Sequence, residues 1–316
     1  MIRKLDGHQL IARLPTVAGK LTPEKLMEKI TWMRVGGPAE VFFQPADIND
    51  LSQFLYNLPS EIDVLTIGAC SNLIVRDGGI KGVVIKLGKA FSDISFDGNF
   101  VSVGAAALDS KIAEKSAEHG LDLSFLRTIP GSIGGAVKMN AGCYGSCLAD
   151  VFESADVVLR SGELKTLHSQ DLGFSYRSAA LPSESTVVRV KLKPKRKNAE
   201  KIISRMRLNQ SKRLNTQPVK ERTCGSTFRN PLNTSLSTLT NSPEKAWELI
   251  DGANLRGYTI GGAMVSKLHS NFLINTGSAK ANDVERLGEF IQEKVMEKSG
   301  VKLDWEVKRV GIRVDN

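Results

Sequence analysis

A cluster of glycines near the middle of this 316-residue chain constrains its fold more than any other feature of the sequence. Residues 128–142 read Thr-Ile-Pro-Gly-Ser-Ile-Gly-Gly-Ala-Val-Lys-Met-Asn-Ala-Gly. Each glycine destabilises a plain helix or strand by about 1 kcal/mol relative to alanine. A compensating interaction is therefore expected, and close approach of a flat or anionic cofactor to the backbone is a natural candidate.

A second loop of small residues, Ile-Gly-Ala-Cys-Ser-Asn-Leu at 67–73, directly follows an apolar, β-rich run. Small side chains let backbone N–H groups cradle a phosphate, and Ser71 and Asn72 add side-chain donors. The loop is neither a Walker loop nor a Gly-x-Gly-x-x-Gly dinucleotide fingerprint. Either glycine loop alone is more often a tight turn, but the pair favours a site for an anionic cofactor.

The hydrophobic pattern alternates short β-rich runs with helical stretches and predicts a mixed α+β fold. The predicted strands cover 39–44, 64–68, 82–87 and 186–192, and the predicted hairpins turn at 97–99 and 161–162. The predicted helices cover 48–57, 108–119, 198–214, a segment that starts at Ser242-Pro243 and runs to about 255, and 281–299. The Lys- and Pro-containing segment 193–197 is the best domain boundary.

The net charge of +9 raises the question of an anionic partner. Much of the excess lies in residues 191–213, where Glu200 is the only acid. That stretch has no Phe, Trp or Tyr to stack on bases, and no nucleic-acid-binding motif accompanies it. We therefore expect a solvated helix face and no nucleic-acid partner, although a diphosphate-bearing small ligand would use a basic surface equally well.

The number of cysteines and the length of the apolar runs indicate the cellular compartment of the protein. Four cysteines in a chain of this length fit the reducing cytoplasm better than a disulfide scaffold. Cys143 and Cys147 have a C-x3-C spacing that suits zinc, but no second Cys/His pair stands nearby, and no metal site is expected. No apolar run reaches about 18 residues, and the N-terminus lacks the hydrophobic segment of a secretory signal. We expect a cytoplasmic protein without a membrane partner.

The two glycine loops, in this order, resemble the FAD-binding domain of the vanillyl-alcohol-oxidase type of flavoproteins. Three further motifs narrow the resemblance to the UDP-N-acetylenolpyruvoylglucosamine reductase family. They are Thr-Trp-Met-Arg-Val-Gly-Gly-Pro-Ala at 31–39, Gly-Ser-Thr-Phe-Arg-Asn-Pro at 225–231 and Gly-Gly-Ala-Met-Val-Ser-Lys-Leu-His-Ser-Asn-Phe at 261–272. Five motifs in the family's order, spread over about 31–311, make the resemblance specific.

The resemblance implies a fold in three parts and a defined reaction. Two α+β subdomains, 1–87 and 88–197, would bind FAD; 198–300 would form a C-terminal α+β substrate domain, and 301–316 would pack on the first subdomain. The family reduces UDP-N-acetylglucosamine enolpyruvate to UDP-N-acetylmuramate with NADPH, a step of peptidoglycan synthesis, cell-wall biogenesis and hence cell shape and division. A monomer is favoured, although the sequence does not define the oligomeric state.

Three residues carry catalysis if the family's roles are transferred. Ser226 would give a proton to carbon 2 of the substrate after hydride reaches carbon 3, and Arg177 would pair with the substrate carboxylate. Glu306 would lie against the same carboxylate and would have to carry a proton, since two carboxylates together disfavour double ionisation. Without the resemblance, each of the three would be taken for an ordinary turn or surface residue.

The resemblance also implies two sets of binding residues. The cofactor set is Arg34, Gly36, Gly68, Ala69, Cys70, Ser71, Asn72, Pro130, Gly131, Ser132, Gly134, Gly135 and Gly142. The substrate set is Tyr176, Arg229, Asn230, Lys267, His269 and Asn271, with Lys212 and Arg213 adding positive potential.

This chain departs from the family pattern in several places. Cys70 stands where the first loop usually has glycine, so either φ is negative there or the loop is displaced. Arg229 replaces the commoner lysine, and Cys224 precedes Gly-Ser where a smaller residue is usual. Only nine residues separate Arg177 from Val187, which places the chain in the subclass without a long tyrosine-bearing insertion.

Two alternatives remain open on the sequence alone. One is another oxidoreductase of the same flavin fold that acts on a different alcohol or acid. The other is a non-catalytic protein that binds a nucleotide sugar or a nucleic acid on the same scaffold.

Overall fold

The structure is a computed structural model that describes residues 5–231 and 245–314. Its strands are β1 (Lys20–Leu26), β2 (Pro38–Gln44), β3 (Val64–Ile67), β4 (Leu73–Val75), β5 (Ile80–Lys86), β6 (Ile94–Asp97), β7 (Phe100–Gly104), β8 (Gly142–Cys143), β9 (Ser146–Cys147), β10 (Phe152–Val158), β11 (Leu164–His168), β12 (Thr186–Leu192), β13 (Arg222–Ser226), β14 (Thr259–Ile260), β15 (Ala263–Val265), β16 (Phe272–Asn275) and β17 (Lys308–Val310). Its helices are α1 (Gly7–Ile11), α2 (Ile48–Asn57), α3 (Asp109–Glu118), α4 (Ile133–Lys138), α5 (Ser169–Leu172), α6 (Ala199–Thr216), α7 (Ala246–Gly252) and α8 (Ala281–Ser299). The mixture confirms the α+β class.

The chain divides into two compact units, each built from several segments of sequence. Unit 1 comprises Met1–Lys25, Ala39–Ala69 and Lys81–Arg213. Unit 2 comprises Leu26–Pro38, Cys70–Ile80 and Leu214–Asn316. The three-part division expected from the sequence stays a prediction.

Unit 1 contains two sheets. The first has the strand order β1-β2-β5-β3, and β3 pairs with β5 in parallel. Helix α2 begins at Ile48 because the Asp47 carboxylate accepts a hydrogen bond from the Asp50 N–H, which satisfies an otherwise unpaired donor of the first turn. Its buried face meets the sheet, with the rings of Phe54 and Phe43 4.2 Å apart. The core of this layer is thus aromatic and aliphatic.

The second sheet of unit 1 is antiparallel, with the order β11-β10-β12-β7-β6. Its two hairpins turn where the sequence predicted, at Gly98 with φ of 56° and at Gly162 with φ of 80°. Positive φ at such a turn costs glycine nothing, which explains both positions. Helix α3 belongs to the same hydrophobic core and ends before Gly120, which also has positive φ.

Unit 2 contains a sheet of order β13-β16-β15-β14 and a short parallel pair of β17 with β4. Helix α8 begins at Ala281, where the Asp77 carboxylate accepts from the backbone N–H groups of Ala281 and Asn282 at 2.9 Å each. The predicted apolar face of α8 is fully buried: Val284, Leu287, Ile291 and Val295. The helix ends at Ser299, before Gly300 with φ of 69°.

The predicted strands and helices are confirmed apart from one helix. Ser242 and Pro243, its predicted start, lie outside the described residues. Its predicted end near 255 is wrong, because α7 stops at Gly252 and Asn254 takes a left-handed backbone with φ of 58°. In the part of the chain that the structure describes, no helix is long and apolar enough to cross a membrane.

The buried face of α3 carries two polar side chains that lack partners. Asp109 is 1% exposed, and neither carboxylate oxygen has a hydrogen-bond partner among the described residues. The Ser116 hydroxyl, two turns further along the same face, is equally buried and also unpartnered. Burial raises the pKa of Asp109 well above its ordinary value of 3.8, because a low-polarity interior disfavours the charged form.

The sign of the resulting pH dependence follows from the direction of the pKa shift. The folded state holds the Asp109 proton more tightly than the unfolded state does. Stability from this proton is therefore complete below the ordinary value of 3.8 and is lost as pH rises toward the raised pKa. Within that window, the loss reaches about 1.4 kcal/mol of unfolding free energy per pH unit.

We predict that Asp109→Asn removes this slope, so the variant gains stability over wild type as pH rises from about 5 to about 8. Urea unfolding at several pH values measures the difference. Ser116→Ala is the matched control, because it removes a buried polar group that does not titrate and should shift stability equally at every pH. A constant difference between Asp109→Asn and wild type would contradict the prediction.

Candidate functional site

A cavity of about 150 Å³ lies in unit 1 where the two glycine loops approach each other. It is bordered by the end of β3 with the residues after it, the end of β5, and α4 with the residue before it. Its lining residues are Thr66, Ile67, Gly68, Ala69, Lys86, Leu87, Ala105, Ala106, Leu108, Ser132, Gly134, Gly135, Lys138, Leu181, Ser185 and Val187.

Two of the lining glycines explain why small residues are needed here. A Cβ on Gly68 would lie 2.7 Å from the Ser132 hydroxyl oxygen, so only glycine allows the two loops to come this close. A Cβ on Gly135 would meet no atom within 4 Å, so a larger side chain there would occupy open space beside the cavity. The Lys86 ammonium donates to the Gly68 carbonyl at 3.3 Å, and Lys138 also lines the cavity. Together they supply positive charge for an anionic ligand.

Backbone hydrogen bonds hold the second glycine loop against the residues before α3. Ile133 N–H donates to the Ala107 carbonyl, and Gly134 N–H donates to the Ala105 carbonyl, both at 3.0 Å. The Gly131 carbonyl accepts from Asp109 N–H at 3.2 Å. These contacts fix the backbone around Gly131 without any large side chain.

Arg177 lies in a tight turn in unit 1, between Ser175 and Ser178. These two serines exchange backbone hydrogen bonds of 3.0 and 3.2 Å, and Arg177 adopts φ of 57°. Its guanidinium carbon lies 5.2 Å from the ring centroid of Tyr176, which is half exposed. Positive φ is uncommon for a residue with a side chain and is typical of functional sites.

Asn140 anchors this turn, although the sequence did not single it out as a site residue. Its side-chain amide donates to the Ser175 carbonyl at 2.9 Å and its oxygen accepts from Ala149 N–H at 3.0 Å. Its φ is 38°, and asparagine is one of the few residue types that tolerate the left-handed region. The asparagine itself is therefore the signal that the sequence offers. Glycine is required by packing at the nearby Gly142, because a Cβ there would crowd Cys147 across the β8–β9 hairpin.

Arg213 also has a local role that the sequence did not predict. Its guanidinium donates to the carbonyl of Thr128, at the start of the second glycine loop. Burial lowers the pKa of Arg213, because the interior disfavours its charge. Cys143 contacts the same region, with its Sγ 3.3 Å from the Phe125 carbonyl. Among the described residues, no three His, Cys, Asp or Glu side chains are grouped as a metal site requires.

Pro130 lies in unit 1, whereas the other predicted cofactor residues, Arg34, Gly36, Cys70, Ser71 and Asn72, lie in unit 2. Cys70 is buried and has φ of 57°, so the alternative of a negative φ at this position is wrong. The cysteine occupies the left-handed backbone that a glycine would adopt without strain. Arg34 has the same φ, and its guanidinium donates to the Lys29 carbonyl at 2.6 Å. Gly36, with φ of 120°, approaches Val75 so closely that a Cβ would lie 2.7 Å from the valine Cβ.

The segment that carries Ser226 is held from one side by Asn271. Thr227 N–H donates to the Asn271 carbonyl at 2.8 Å. The Asn271 side-chain oxygen accepts from Phe228 N–H at 2.9 Å, and its amide nitrogen donates to the Phe228 carbonyl at 2.8 Å. Asn271 is 4% exposed, and its side chain imitates a strand partner for this segment.

From the other side, the same segment is held by the residues around Glu306. Glu306 N–H donates to the Thr227 carbonyl at 2.8 Å, and the Arg229 N–H donates to the Asp304 carbonyl at 2.8 Å. Asn72 of the first glycine loop donates to the Glu306 carbonyl at 3.3 Å and accepts from Lys308 N–H at 3.1 Å. Unit 2 thus brings Ser226, Glu306 and Asn72 together, whereas Arg177 belongs to unit 1.

The predicted substrate residues of unit 2 differ in how fully their polar atoms are used. The Asn230 oxygen accepts from Ala246 N–H at 3.1 Å. His269 Nδ1 accepts from Asn271 N–H at 3.3 Å, and burial lowers the pKa of His269. Lys267 contributes its carbonyl to Arg256 at 2.8 Å. Among the described residues, the buried Arg229 Nε has no hydrogen-bond partner, so it is a strong donor suited to an anion.

Cys224, two residues before Ser226, is buried and inert. Its Sγ donates to the Leu73 carbonyl at 3.2 Å, and burial raises its pKa to about 12. The four cysteines all lie among the described residues, and none of them forms a disulfide.

Comparisons with known proteins extend this picture over nearly the whole chain. A family model described as FAD binding domain matches residues 39–168, and one described as UDP-N-acetylenolpyruvoylglucosamine reductase, C-terminal domain, matches 217–310. UDP-N-acetylenolpyruvoylglucosamine reductase of Ruegeria pomeroyi is 54% identical over 301 residues, which cover 95% of this chain and 98% of the relative. The same-named protein of Gluconobacter oxydans is 50% identical over 294 residues, 93% of each.

A solved structure shows the same architecture. The crystal structure of UDP-N-acetylenolpyruvylglucosamine reductase (MurB) from Thermus caldophilus aligns with a TM-score of 0.78 at 32% identity. The alignment covers 93% of this chain and 99% of that one. The resemblance inferred from the five motifs and the FAD-binding fold are thereby confirmed.

The burial of the cysteines predicts an order of reactivity toward an alkylating reagent. At about pH 8, a pKa of about 12 leaves roughly one Cys224 in ten thousand as the reactive thiolate. We expect Cys147, which is partly exposed, to react first, Cys143 more slowly because burial raises its pKa, and Cys224 last. Mass spectrometry after brief iodoacetamide treatment measures this order, and urea-unfolded protein is the control. Equal labelling of Cys224 and Cys147 in the folded protein would contradict it.

Proposed function

Because this chain belongs to the UDP-N-acetylenolpyruvoylglucosamine reductase family, we infer that it reduces UDP-N-acetylglucosamine enolpyruvate to UDP-N-acetylmuramate with NADPH and FAD. This reaction is a step of peptidoglycan biosynthesis. The observation that carries the inference is the 54% identity that spans 95% of the chain. The match of residues 39–168 to an FAD-binding model supports the cofactor.

The cavity of unit 1 suits part of a dinucleotide cofactor. Its loops expose backbone at Gly68 and Gly135, where larger side chains would crowd or occupy the space, and Lys86 and Lys138 suit a diphosphate. Bound FAD would supply the hydride-transfer chemistry between NADPH and carbon 3 of the enolpyruvyl group. We assign to its binding the predicted residues that line this cavity: Gly68, Ala69, Ser132, Gly134 and Gly135.

The other predicted cofactor residues are proposed to act in different ways. Ser71 and Asn72 contribute polar side chains, and the Asn72 amide also ties its loop to Glu306. A Cβ at Gly36 or Gly142 would crowd neighbouring residues, so we propose that these two glycines shape the backbone. Arg34, Cys70, Pro130 and Gly131 complete the proposed set.

Ser226 is the proposed proton donor. Hydride addition at carbon 3 leaves negative charge at carbon 2 and the neighbouring carboxylate, and this strongly basic centre can take a proton from a hydroxyl that is otherwise a poor acid. Hydrogen bonds on both sides of Thr227 keep the backbone next to Ser226 rigid. A rigid backbone helps the hydroxyl keep the geometry that proton transfer needs.

Arg177 and Glu306 are proposed to act on the substrate carboxylate. An arginine supplies two parallel donors to a carboxylate and stabilises the charge that develops there. The tight turn and the Tyr176 ring restrict where the Arg177 guanidinium can point. Glu306 is proposed to lie against the same carboxylate.

For the UDP-sugar, we propose Arg229 as the leading contact, because its buried, unpartnered Nε is suited to a phosphate or sugar oxygen. Tyr176, Asn230, Lys267 and His269 are weaker proposals. Both side-chain groups of Asn271 already bond Phe228, which supports a role for Asn271 in shaping the site.

We further propose a cytoplasmic monomer without a nucleic-acid or membrane partner. Part of the basic stretch 191–213 forms ion pairs within the protein. Lys197 and Arg205 both contact the Asp122 carboxylate, at 2.7 and 3.6 Å. Lys191 and Lys193 lie over the Phe100 ring, 4.2 and 5.5 Å from its centroid. These contacts support the view that the positive charge is partly a structural feature of unit 1.

The function is tested by steady-state NADPH oxidation with purified, FAD-loaded protein. We expect oxidation to depend on the enolpyruvyl UDP-sugar and to yield UDP-N-acetylmuramate in equal amount. Free enolpyruvate and UDP-N-acetylglucosamine, added separately, are the controls. Oxidation that ignores the enolpyruvyl UDP-sugar but follows another alcohol or acid would favour a different flavin oxidoreductase.

The role of Ser226 is tested by separating the half-reactions in a stopped-flow instrument. We predict that Ser226→Ala leaves flavin reduction by NADPH nearly unchanged and slows turnover of the enolpyruvyl substrate by about 10²- to 10⁴-fold, the usual contribution of a positioned proton donor. Ser299→Ala is the matched control, because the Ser299 hydroxyl makes local bonds at the end of α8: it donates to the Val295 carbonyl and accepts from the Val301 N–H. Equal losses in both half-reactions would reject the proton-donor role.

A further inference from the structure

Trp305 separates the two contacts that align Ser226 with Glu306. The preceding residue, Asp304, accepts the Arg229 N–H, and the following residue, Glu306, donates to the Thr227 carbonyl. Trp305 itself forms an isolated antiparallel bridge with Phe228, and the two rings lie 5.2 Å apart. The position of the indole is therefore coupled to the register of these two segments.

Helix α8 holds one edge of the indole. Its Nε1 donates to the Gln292 side-chain oxygen at 3.2 Å, and the Gln292 amide donates to the Leu303 carbonyl at 2.6 Å. One turn earlier, Gly288 leaves space for the ring, because a Cβ there would overlap the indole atoms Cη2 and Cζ2. Glycine destabilises a helix interior relative to alanine, so the contact with Trp305 gives Gly288 a reason to be there.

A buried ion cluster fixes another contact of the indole. The Arg309 guanidinium carbon lies 4.4 Å from the centroid of the Trp305 ring, a cation–π contact. Arg309 is held by Glu285, whose carboxylate is 1% exposed and accepts from Arg309 at 3.4 Å. Arg76 contacts the same carboxylate through Nε and Nη2 at 3.1 to 3.2 Å. Two guanidinium groups thus compensate one buried negative charge, which makes Arg309 a fixed support.

We propose that Trp305 is a positioning residue, and that Gly288 together with the Glu285–Arg309 pair sets the indole so that Glu306 stays in register with Ser226. This inference rests on the proposed function, because it concerns the substrate half-reaction that these two residues serve. Trp305 acts through the backbone on either side of it. Displacing the indole shifts Glu306 relative to Thr227, and displacements of about 1 Å cost up to about 100-fold in rate.

Gly288→Ala tests the proposal, since the added methyl group must displace the indole. In stopped-flow experiments with the FAD-loaded enzyme, we expect oxidation of the reduced enzyme by the enolpyruvyl UDP-sugar to slow by about 10- to 100-fold. Flavin reduction by NADPH should stay within about twofold of wild type, because Trp305 does not serve that step. Gly252→Ala is the matched control, because a Cβ at this helical glycine of unit 2 would meet no described residue within 4 Å.

Trp305→Phe supplies both a second variant and a rescue. On its own, Trp305→Phe loses the hydrogen bond to Gln292, and we expect it to slow the substrate half-reaction by several-fold. This variant therefore tests the proposal even where Gly288→Ala does not fold. In the double variant, the smaller ring makes room for the methyl group, so its rate should equal or exceed that of Trp305→Phe alone. Additive losses, equal losses in both half-reactions, or unchanged rates in the single variants would each overturn the proposal. No turnover of the substrate by wild type would instead overturn the proposed function, and this inference with it.

Discussion

The backbone of residues 226–229 is bonded on both sides, and the site of unit 2 depends on this arrangement. Asn271 contributes its carbonyl and its whole side-chain amide on one side, and Glu306 N–H and the Asp304 carbonyl contribute on the other. Buried backbone groups without partners are costly, so each of these bonds resists any change in register. A serine hydroxyl is a weak acid, and rigid placement is what the protein can offer it.

Left-handed backbone recurs at residues tied to the proposed chemistry. Arg34, Cys70 and Arg177 each have φ of 57° although each has a side chain. Such conformations persist when surrounding contacts over-determine them, as the paired hydrogen bonds of Ser175 and Ser178 do for Arg177. The strain at Arg177 is thus stored where a side chain must point in a defined direction.

Local features of this chain are readable from the sequence, and long-range ones are not. The turns at Gly98 and Gly162 and the end of α8 at Gly300 follow from glycine's freedom at positive φ, which involves only neighbouring residues. Asn271 reads as an ordinary polar residue, because its partner Phe228 is 43 positions away. Gly288 likewise reads as a weak point in a helix until Trp305 is seen against it. Motifs identified the residues around Ser226, but only the fold shows what holds them.

Two of the buried carboxyl groups, Asp109 and Glu285, illustrate how differently one chain solves the same electrostatic problem. Glu285 lies between two guanidinium groups, so its charge is compensated, and only the loss of both arginines would remove these ion pairs from the buried carboxylate. Asp109 has no hydrogen-bond partner among the described residues, and burial raises its pKa. A neutral acid costs far less to bury than an ion, so burial favours the protonated form of Asp109. Glu285 therefore holds Arg309 against the Trp305 ring, whereas Asp109 makes the helix next to the second glycine loop sensitive to pH.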